Sequence, residues 1–280
     1  MSNKLESVHG LTVLITGAAL GMGKIYAEKA VLEGAKRVIL WDVNQEQLDA
    51  TASELRNLAT GSTHGTEVEP QVVDVSQASV VVLAAEEVLK NGTPDVLINN
   101  AGIVRGKPFA EHTHQDVDLT MNINASAPMH ITLAFLEAMK RGQQQRRIVN
   151  IASAAAFVSN PNMSVYAASK AALLGWSDTL RLELRAEGSN IQVTTVCPLY
   201  TTTGMFDGAK AVRLTKLMRP EKVTDAAWEA MKSGTPLLVI PRISNAARTL
   251  RGALPTTAWD FLAQHAFGIY SSMKDFKGRS

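Results

Sequence analysis

The chain is poor in the residues that would fix it covalently or anchor it in a lipid phase. Its 280 residues include one cysteine, Cys197. No disulfide can form within it, and the expected setting is reducing and cytoplasmic. Cys197 ends an apolar run and has no histidine partner in the pattern, so it reads as a core residue. Met1 to His9 lack an apolar core, which gives no sign of a signal peptide. No run of ~18 apolar residues occurs, so no spanning helix is expected. Aromatic residues make up only 5% and do not cluster with basic ones, which argues against a nucleic-acid module. Of the six histidines, His9, His64, His112, His114, His130 and His265, only His112 and His114 are close. They lack a cysteine or carboxylate at ligand spacing, so no metal site is expected.

What the chain does have is a regular alternation. Leu11 to Thr16, Arg37 to Trp41, Val72 to Val75, Asp95 to Asn99, Arg147 to Ser153, Ile191 to Cys197 and Leu237 to Ile240 read as strands or strand ends. Helical patterns over roughly 23–34, 45–59, 77–91, 114–141, 164–187 and 221–233 separate them. Polar loops at Gly61–Gly65 and Gln143–Gln145 precede two of the strands. This order predicts an α/β fold, a doubly wound parallel sheet of the Rossmann type with about seven strands. Ligands of such sheets bind beyond the carboxyl ends of the strands. Gly17, Asp42, Asp74, Asn100, Ser153 and Pro198 all fall at that edge.

The first strand runs into Thr16-Gly17-Ala-Ala-Leu20-Gly21-Met22-Gly23 and then into a helix. Glycines let a backbone turn sharply and approach a pyrophosphate, and the helix N-terminus offers free N–H groups. Asp42 ends the second strand, where a carboxylate accepts hydrogen bonds from ribose hydroxyls and repels a 2′-phosphate. Leu20 and Val43 stand where a cation could have met that phosphate, and Arg37 starts the strand too far away. These positions favour NAD over NADP.

Tyr166 and Lys170 are spaced i, i+4 and so share one helix face. A neighbouring ammonium favours a phenolate, giving a proton-transfer group usable near neutral pH. Ser153, at the end of the fifth strand, can hold a substrate oxygen against that phenol. The walls expected around it, Phe157, Val158, Met163, Leu199, Tyr200, Met205 and Phe206, are apolar or aromatic.

Taken in order and spacing over roughly residues 8–240, these pieces resemble the short-chain dehydrogenase/reductase family. The matching residues are Thr16-Gly17-x-x-x-Gly21-x-Gly23, Asp74-Val75, Asn99-Asn100-Ala101-Gly102, Asn122, Ser153, Tyr166-x-x-x-Lys170, and Pro198 with Thr203. The resemblance implies a general acid/base at Tyr166 and a positioning serine at Ser153. It implies that Lys170 tunes the phenol and binds the nicotinamide ribose. It also implies that Asn122 holds a water beside the lysine. Cofactor contacts are expected from Gly17, Leu20, Gly21, Met22, Gly23, Asp42, Val43, Asp74, Val75, Asn100, Ala101, Gly102, Tyr166, Lys170, Pro198, Thr201 and Thr203.

The expected activity is NAD-dependent hydride transfer to or from a small hydrophobic alcohol or ketone: steroid, retinoid, aryl or long-chain. The opposing class is a non-catalytic dinucleotide-binding regulator on the same fold. Leu199 departs from the family, which usually has glycine after that proline. The family resemblance also implies a homodimer or homotetramer, paired through helices 114–141 and 164–187, with Leu173, Leu174, Trp176 and Leu180 as a spare apolar stripe.

The segment after the seventh strand is the other departure. Gly204-Met205-Phe206, Pro241, Leu254-Pro255 and the ending Met273 to Arg279 look like the branch that acts on retinol and steroids. We divide the chain into a catalytic part, 1–242, and an extension, 243–280, packed on the substrate side or on a partner subunit. From Lys210 onward there are twelve Lys/Arg against five Asp/Glu. Arg248 and Arg251 lie among Leu254, Trp259, Phe261 and Phe267, a mixture compatible with a membrane surface. The favoured expectation is that the apolar side of 243–268, including those four residues, covers the substrate mouth.

Overall fold

The computed structural model describes residues 4–61, 65–213 and 215–278; the centre of the Gly61–Gly65 loop with His64, and Arg279, lie outside them. Seven strands form one parallel sheet: β1 (Thr12–Thr16), β2 (Arg37–Asp42), β3 (Glu67–Val72), β4 (Val96–Asn99), β5 (Arg146–Ile151), β6 (Ile191–Pro198) and β7 (Leu237–Ile240). Their spatial order is β3-β2-β1-β4-β5-β6-β7. The order reverses at β1, so the crevice between the ends of β1 and β4 is a ready binding place.

The helices are α1 (Gly21–Leu32), α2 (Gln45–Thr60), α3 (Ala78–Lys90), α4 (His114–Met121), α5 (Ala127–Lys140), α6 (Ser164–Ala186) and α7 (Pro220–Ser233). Successive strand residues point to opposite faces. Val13, Ile15, Val38 and Leu40 pack under α1, α2 and α7. Leu14, Ile39, Trp41 and Leu97 pack under α3, α5 and α6. Both faces are covered, which is why these strands read as continuous apolar runs.

Three expectations about elements need adjusting. The third strand ends at Val72; the Val73 N–H still donates to the Asp42 carbonyl at 2.9 Å, and the turn follows at Val75-Ser76. The fourth helical stretch is broken between α4 and α5 by a wide π turn, Asn122–Ser126. Pro128 has no N–H to give the carbonyl four residues back, Asn124. The Ala127 N–H instead reaches Asn122, five residues back. The Leu173 to Leu180 stripe is spare only in part, since Leu173 and Leu180 are buried in the monomer while Leu174 and Trp176 are half-buried. Leu133 of α5 and Leu182 of α6 are the exposed ones.

After β7 the chain forms α8 (Ile243–Ala253) and α9 (Thr256–Phe261). A second π turn follows, Leu262–Ala266. Trp259, Ala263, Ile269 and Met273 are buried against Met163, Tyr166, Tyr200 and Phe206. Leu254 and Phe267 pack partly against the same cluster, whereas Phe261 is 64% exposed and takes no part. Arg248 lies over the Phe157 ring, 5.0 Å from its centroid. The segment also pins the loop that carries Asp207 and Gly208. The Lys277 N–H donates to the Asp207 carbonyl at 2.9 Å. Gly208, at φ +82°, faces the Asp275 carbonyl so closely that an added Cβ would sit 2.0 Å from its oxygen.

Candidate active site

The glycine loop is shaped by what surrounds it. Gly17 adopts φ +63°, and a Cβ there would lie 2.9 Å from the Ala101 Cα. A Cβ on Gly23 would lie 2.0 Å from the Gly17 carbonyl oxygen, so α1 can start this close to the strand only with glycine. The loop is tied to the end of β4. Asn100 Nδ2 donates to the Thr16 carbonyl (3.0 Å) and the Gly17 carbonyl (3.1 Å). Thr16 Oγ1 accepts from the N–H groups of Asn100 and Ala101. The N-terminus of α1 has no side-chain cap and no acidic residue in its first turn. Its N–H groups therefore stay available to an anion.

Asp42 lies at the crevice, one carboxylate oxygen accepting from Ala19 N–H and the other from Asn44 N–H, both at 3.0 Å. Each oxygen keeps a lone pair for a further donor. Val43 beside it is exposed, as is Leu20. Arg37 is buried at the far end of β2, held by Glu69 and the Val88 carbonyl. Hydrogen bonds from Gln77 and Ser76 hold the Asp74 carboxyl below its usual range.

The open crevice, about 390 Å³, is lined by every expected cofactor residue except Gly23, which stands behind the loop. Ala19, Trp41, Ile123 and Ala152 also line it and were not picked out from the sequence. Their only signal there is adjacency to motif residues. An uncapped helix start, a tightly packed glycine turn and a carboxylate at the second strand fit a dinucleotide.

Ser153, Tyr166 and Lys170 line the same crevice. The Tyr166 phenol is in hydrogen-bond contact with Ser153. Ser153 Oγ also accepts from Ala155 N–H at 3.1 Å. Lys170 Nζ donates to the Ile151 carbonyl at 2.8 Å and lies 5.9 Å from the centre of the Tyr166 ring. Phe206 meets Tyr166 edge-on at 6.1 Å and helps bury it.

The electrostatic expectation for this pair needs correcting. Burial pushes the Tyr166 phenol above its ordinary value, against a smaller opposing effect from the Ser153 hydrogen bond. Burial also pushes Lys170 down to about 8. In this form Tyr166 is a neutral phenol at pH 7, able to donate a proton.

Asn122 is not part of the site. It is exposed on the π turn. Asn124, two residues on, is fully buried. Its Oδ1 accepts from Ile103 N–H, and its Nδ2 donates to the Ile103 carbonyl, each at 2.9 Å. Nδ2 also donates to Ser169 Oγ at 3.1 Å. A Cβ on Gly102 would meet Asn124 Oδ1 at 3.2 Å and Lys170 Nζ at 3.4 Å, so the two side chains converge there. Two residues apart on a helix is about 200° of rotation, which puts the neighbours on opposite faces.

The model of the short chain dehydrogenases matches residues 11–213. The chain belongs to the short-chain dehydrogenase/reductase family. Retinol dehydrogenase 10-B of Danio rerio is 32% identical over 276 residues, covering 90% of this chain and 81% of that protein. This similarity places the chain in the retinol dehydrogenase branch of the family. A short-chain dehydrogenase/reductase from Burkholderia phymatum, solved with NAD, superposes with TM-score 0.80 at 26% identity, covering 89% of this chain and 95% of that one. A short-chain dehydrogenase from Sphingobium yanoikuyae, solved with NADPH, gives TM-score 0.73 at 27% identity, covering 88% and 96%. Among solved family neighbours, then, both forms of the cofactor occur. Among the described residues no helix is long and apolar enough to cross a membrane. No group of three or more His, Cys, Asp or Glu among them is placed to hold a metal ion.

Proposed function

We propose that the protein is an NAD-preferring oxidoreductase acting on a hydrophobic alcohol or ketone. One observation carries this reading: Ser153, Tyr166 and Lys170 share a crevice with an uncapped helix start and the Asp42 carboxylate. A nicotinamide dinucleotide bound there would supply the hydride donor or acceptor. Ser153 orients the substrate oxygen, and Tyr166 gives or takes its proton. Positive charge brought beside the buried phenol lowers its pKa, so proton uptake belongs to the loaded site. Lys170 holds a ribose hydroxyl and connects Tyr166 to Asn124, which takes the place expected of Asn122.

The substrate side is apolar. Phe157, Val158, Met163, Leu199 and Tyr200 line a second cavity that shares Ser153 and Leu199 with the crevice. Met205 and Phe206 line the crevice itself. Such walls bind by area, while Ser153 and Tyr166 orient. The similarity to retinol dehydrogenases supports a bulky apolar alcohol. On this reading residues 1–242 are the catalytic part, and 243–280 form an extension that closes the substrate side. The protein acts in the cytoplasm as a homo-oligomer paired through α4, α5 and α6.

The test is turnover with NAD across a panel of steroid, retinoid, aliphatic and aryl alcohols, read as NADH formation. Cofactor binding without turnover on any of them would leave a dinucleotide-binding regulator instead.

A further inference from the structure

The second cavity carries a polar cluster at odds with its apolar walls. Asn160, Tyr200 and Ser272 are all buried, and Asn160 and Tyr200 line the cavity among Phe157, Val158 and Met163. Asn160 Nδ2 donates to Tyr200 OH at 2.6 Å and to Ser272 Oγ at 2.8 Å. Tyr200 OH and Ser272 Oγ lie 3.0 Å apart. Ser272 Oγ donates to the Ile269 carbonyl at 2.8 Å.

Counting protons fixes the orientation of the carboxamide. The one hydroxyl proton of Ser272 goes to Ile269, so its oxygen accepts from Asn160. Tyr200 keeps one proton, which Ser272 can accept. An NH2 group serves both hydroxyl oxygens; a carbonyl oxygen in that place would receive at most one proton. The other end of the carboxamide, Asn160 Oδ1, is buried and has no partner among the described residues. A buried acceptor without a donor is rare in a folded protein and calls for a partner from elsewhere.

We propose that Asn160 Oδ1 receives a second hydroxyl group of the substrate, separate from the oxygen held by Ser153 and Tyr166. Asn160 lines this cavity and not the crevice that contains Tyr166, so the two polar contacts address different parts of one molecule. The substrate class is an apolar alcohol or ketone bearing a further hydroxyl donor. A carbonyl or ether oxygen at that place would face the Asn160 lone pairs and gain nothing. Ser272 belongs to the extension, so the extension sets where this second contact lies. This inference rests on the oxidoreductase reading above.

The experiment compares α,ω-diols with 1-alkanols of the same length, from four to ten carbons, using the full chain and NAD. At one chain length the diol should have about tenfold higher kcat/KM beyond the factor of two for its equivalent ends. Asn160→Leu should abolish that preference, lowering kcat/KM for the diol about tenfold more than for the matching 1-alkanol. An alcohol with a ketone at the far end should show no preference. Should Asn160→Leu fail to fold, the wild-type series and the keto-alcohol decide alone. Oxidation of both series without a preferred diol overturns the inference and leaves the reaction class standing; so does a preference that survives Asn160→Leu. Failure to oxidise any member of either series overturns the inference; the oxidoreductase reading falls with it only if the steroid, retinoid and aryl alcohols also fail.

Discussion

Lys170→Met should make the cofactor-free protein more stable while removing its activity. Lys170 is 4% exposed and makes one hydrogen bond, to the Ile151 carbonyl. Burial lowers its pKa to about 8 from the ordinary 10.5. At ~1.4 kcal/mol per pH unit, that gap corresponds to about 3 kcal/mol against the charged form below pH 8. Methionine removes the charge, keeps the buried stem and loses a neutral hydrogen bond of about 1 kcal/mol. The net expectation at pH 7 is a gain of about 2 kcal/mol, or a few degrees in Tm. The pH dependence gives the sharper check. Below about pH 8 the lysine is charged in both folded and unfolded chains, and its full burial cost is present. Between about 8 and 10.5 the unfolded chain binds more protons, so wild-type stability should rise with pH. The difference between variant and wild type should therefore shrink across that window. The assay is urea unfolding of both proteins without cofactor at pH 6.5, 8 and 9.5. A variant less stable than wild type at pH 6.5, or a difference independent of pH, would refute the reasoning.

Tyr166→Phe should keep the fold and dinucleotide binding yet lose turnover by ~10²–10⁴, the usual contribution of a general acid/base; activity within tenfold of wild type would remove Tyr166 from that role. Asn124→Ala should slow turnover and Asn122→Ala should not, judged by kcat with the same alcohol, because only Asn124 is turned toward Lys170. Asp42→Ala combined with Val43→Arg should move cofactor preference toward NADP, by several kcal/mol at most at an effective dielectric near ~20; equal kcat/KM for both cofactors in the wild type would contradict the role given to Asp42. Ending the chain after Pro241 uncovers Met163, Tyr200 and Phe206, so KM for large apolar alcohols should rise or solubility fall while dinucleotide binding persists, measured by fluorescence titration.

The crevice around the glycine turn was legible because it depends on local pattern. A buried strand, a glycine turn and a carboxylate at the next strand end are each visible in a few consecutive residues, and the parallel sheet brings Gly17, Asp42 and Asn100 together. Asn122 and Asn124 could not be told apart this way, because the choice depends on helix register, which the π turn ahead of Pro128 alters. The Tyr-x-x-x-Lys spacing shows that an ammonium is near a phenol. It does not show that Phe206 and the segment after β7 help bury the phenol, and burial reverses the direction of the Tyr166 shift. Trp259 and Phe261 are two apart on α9, one buried and the other in solvent, and a list of bulky residues treats them alike.

The contact of the extension with the pocket also orders events in time. Every expected cofactor residue is made by Thr203, whereas Trp259 follows Phe206 by 53 residues. At ~5–20 residues per second of synthesis, that gap lasts roughly 3–11 s. During it a growing chain already has its glycine turn, Asp42 and the Ser153–Tyr166–Lys170 group, while Met163, Tyr200 and Phe206 still lack their cover. The apolar floor is thus open to chaperones or to wrong contacts before the enzyme can enclose a substrate. A dinucleotide that binds in this interval would order the first half of the molecule ahead of the second.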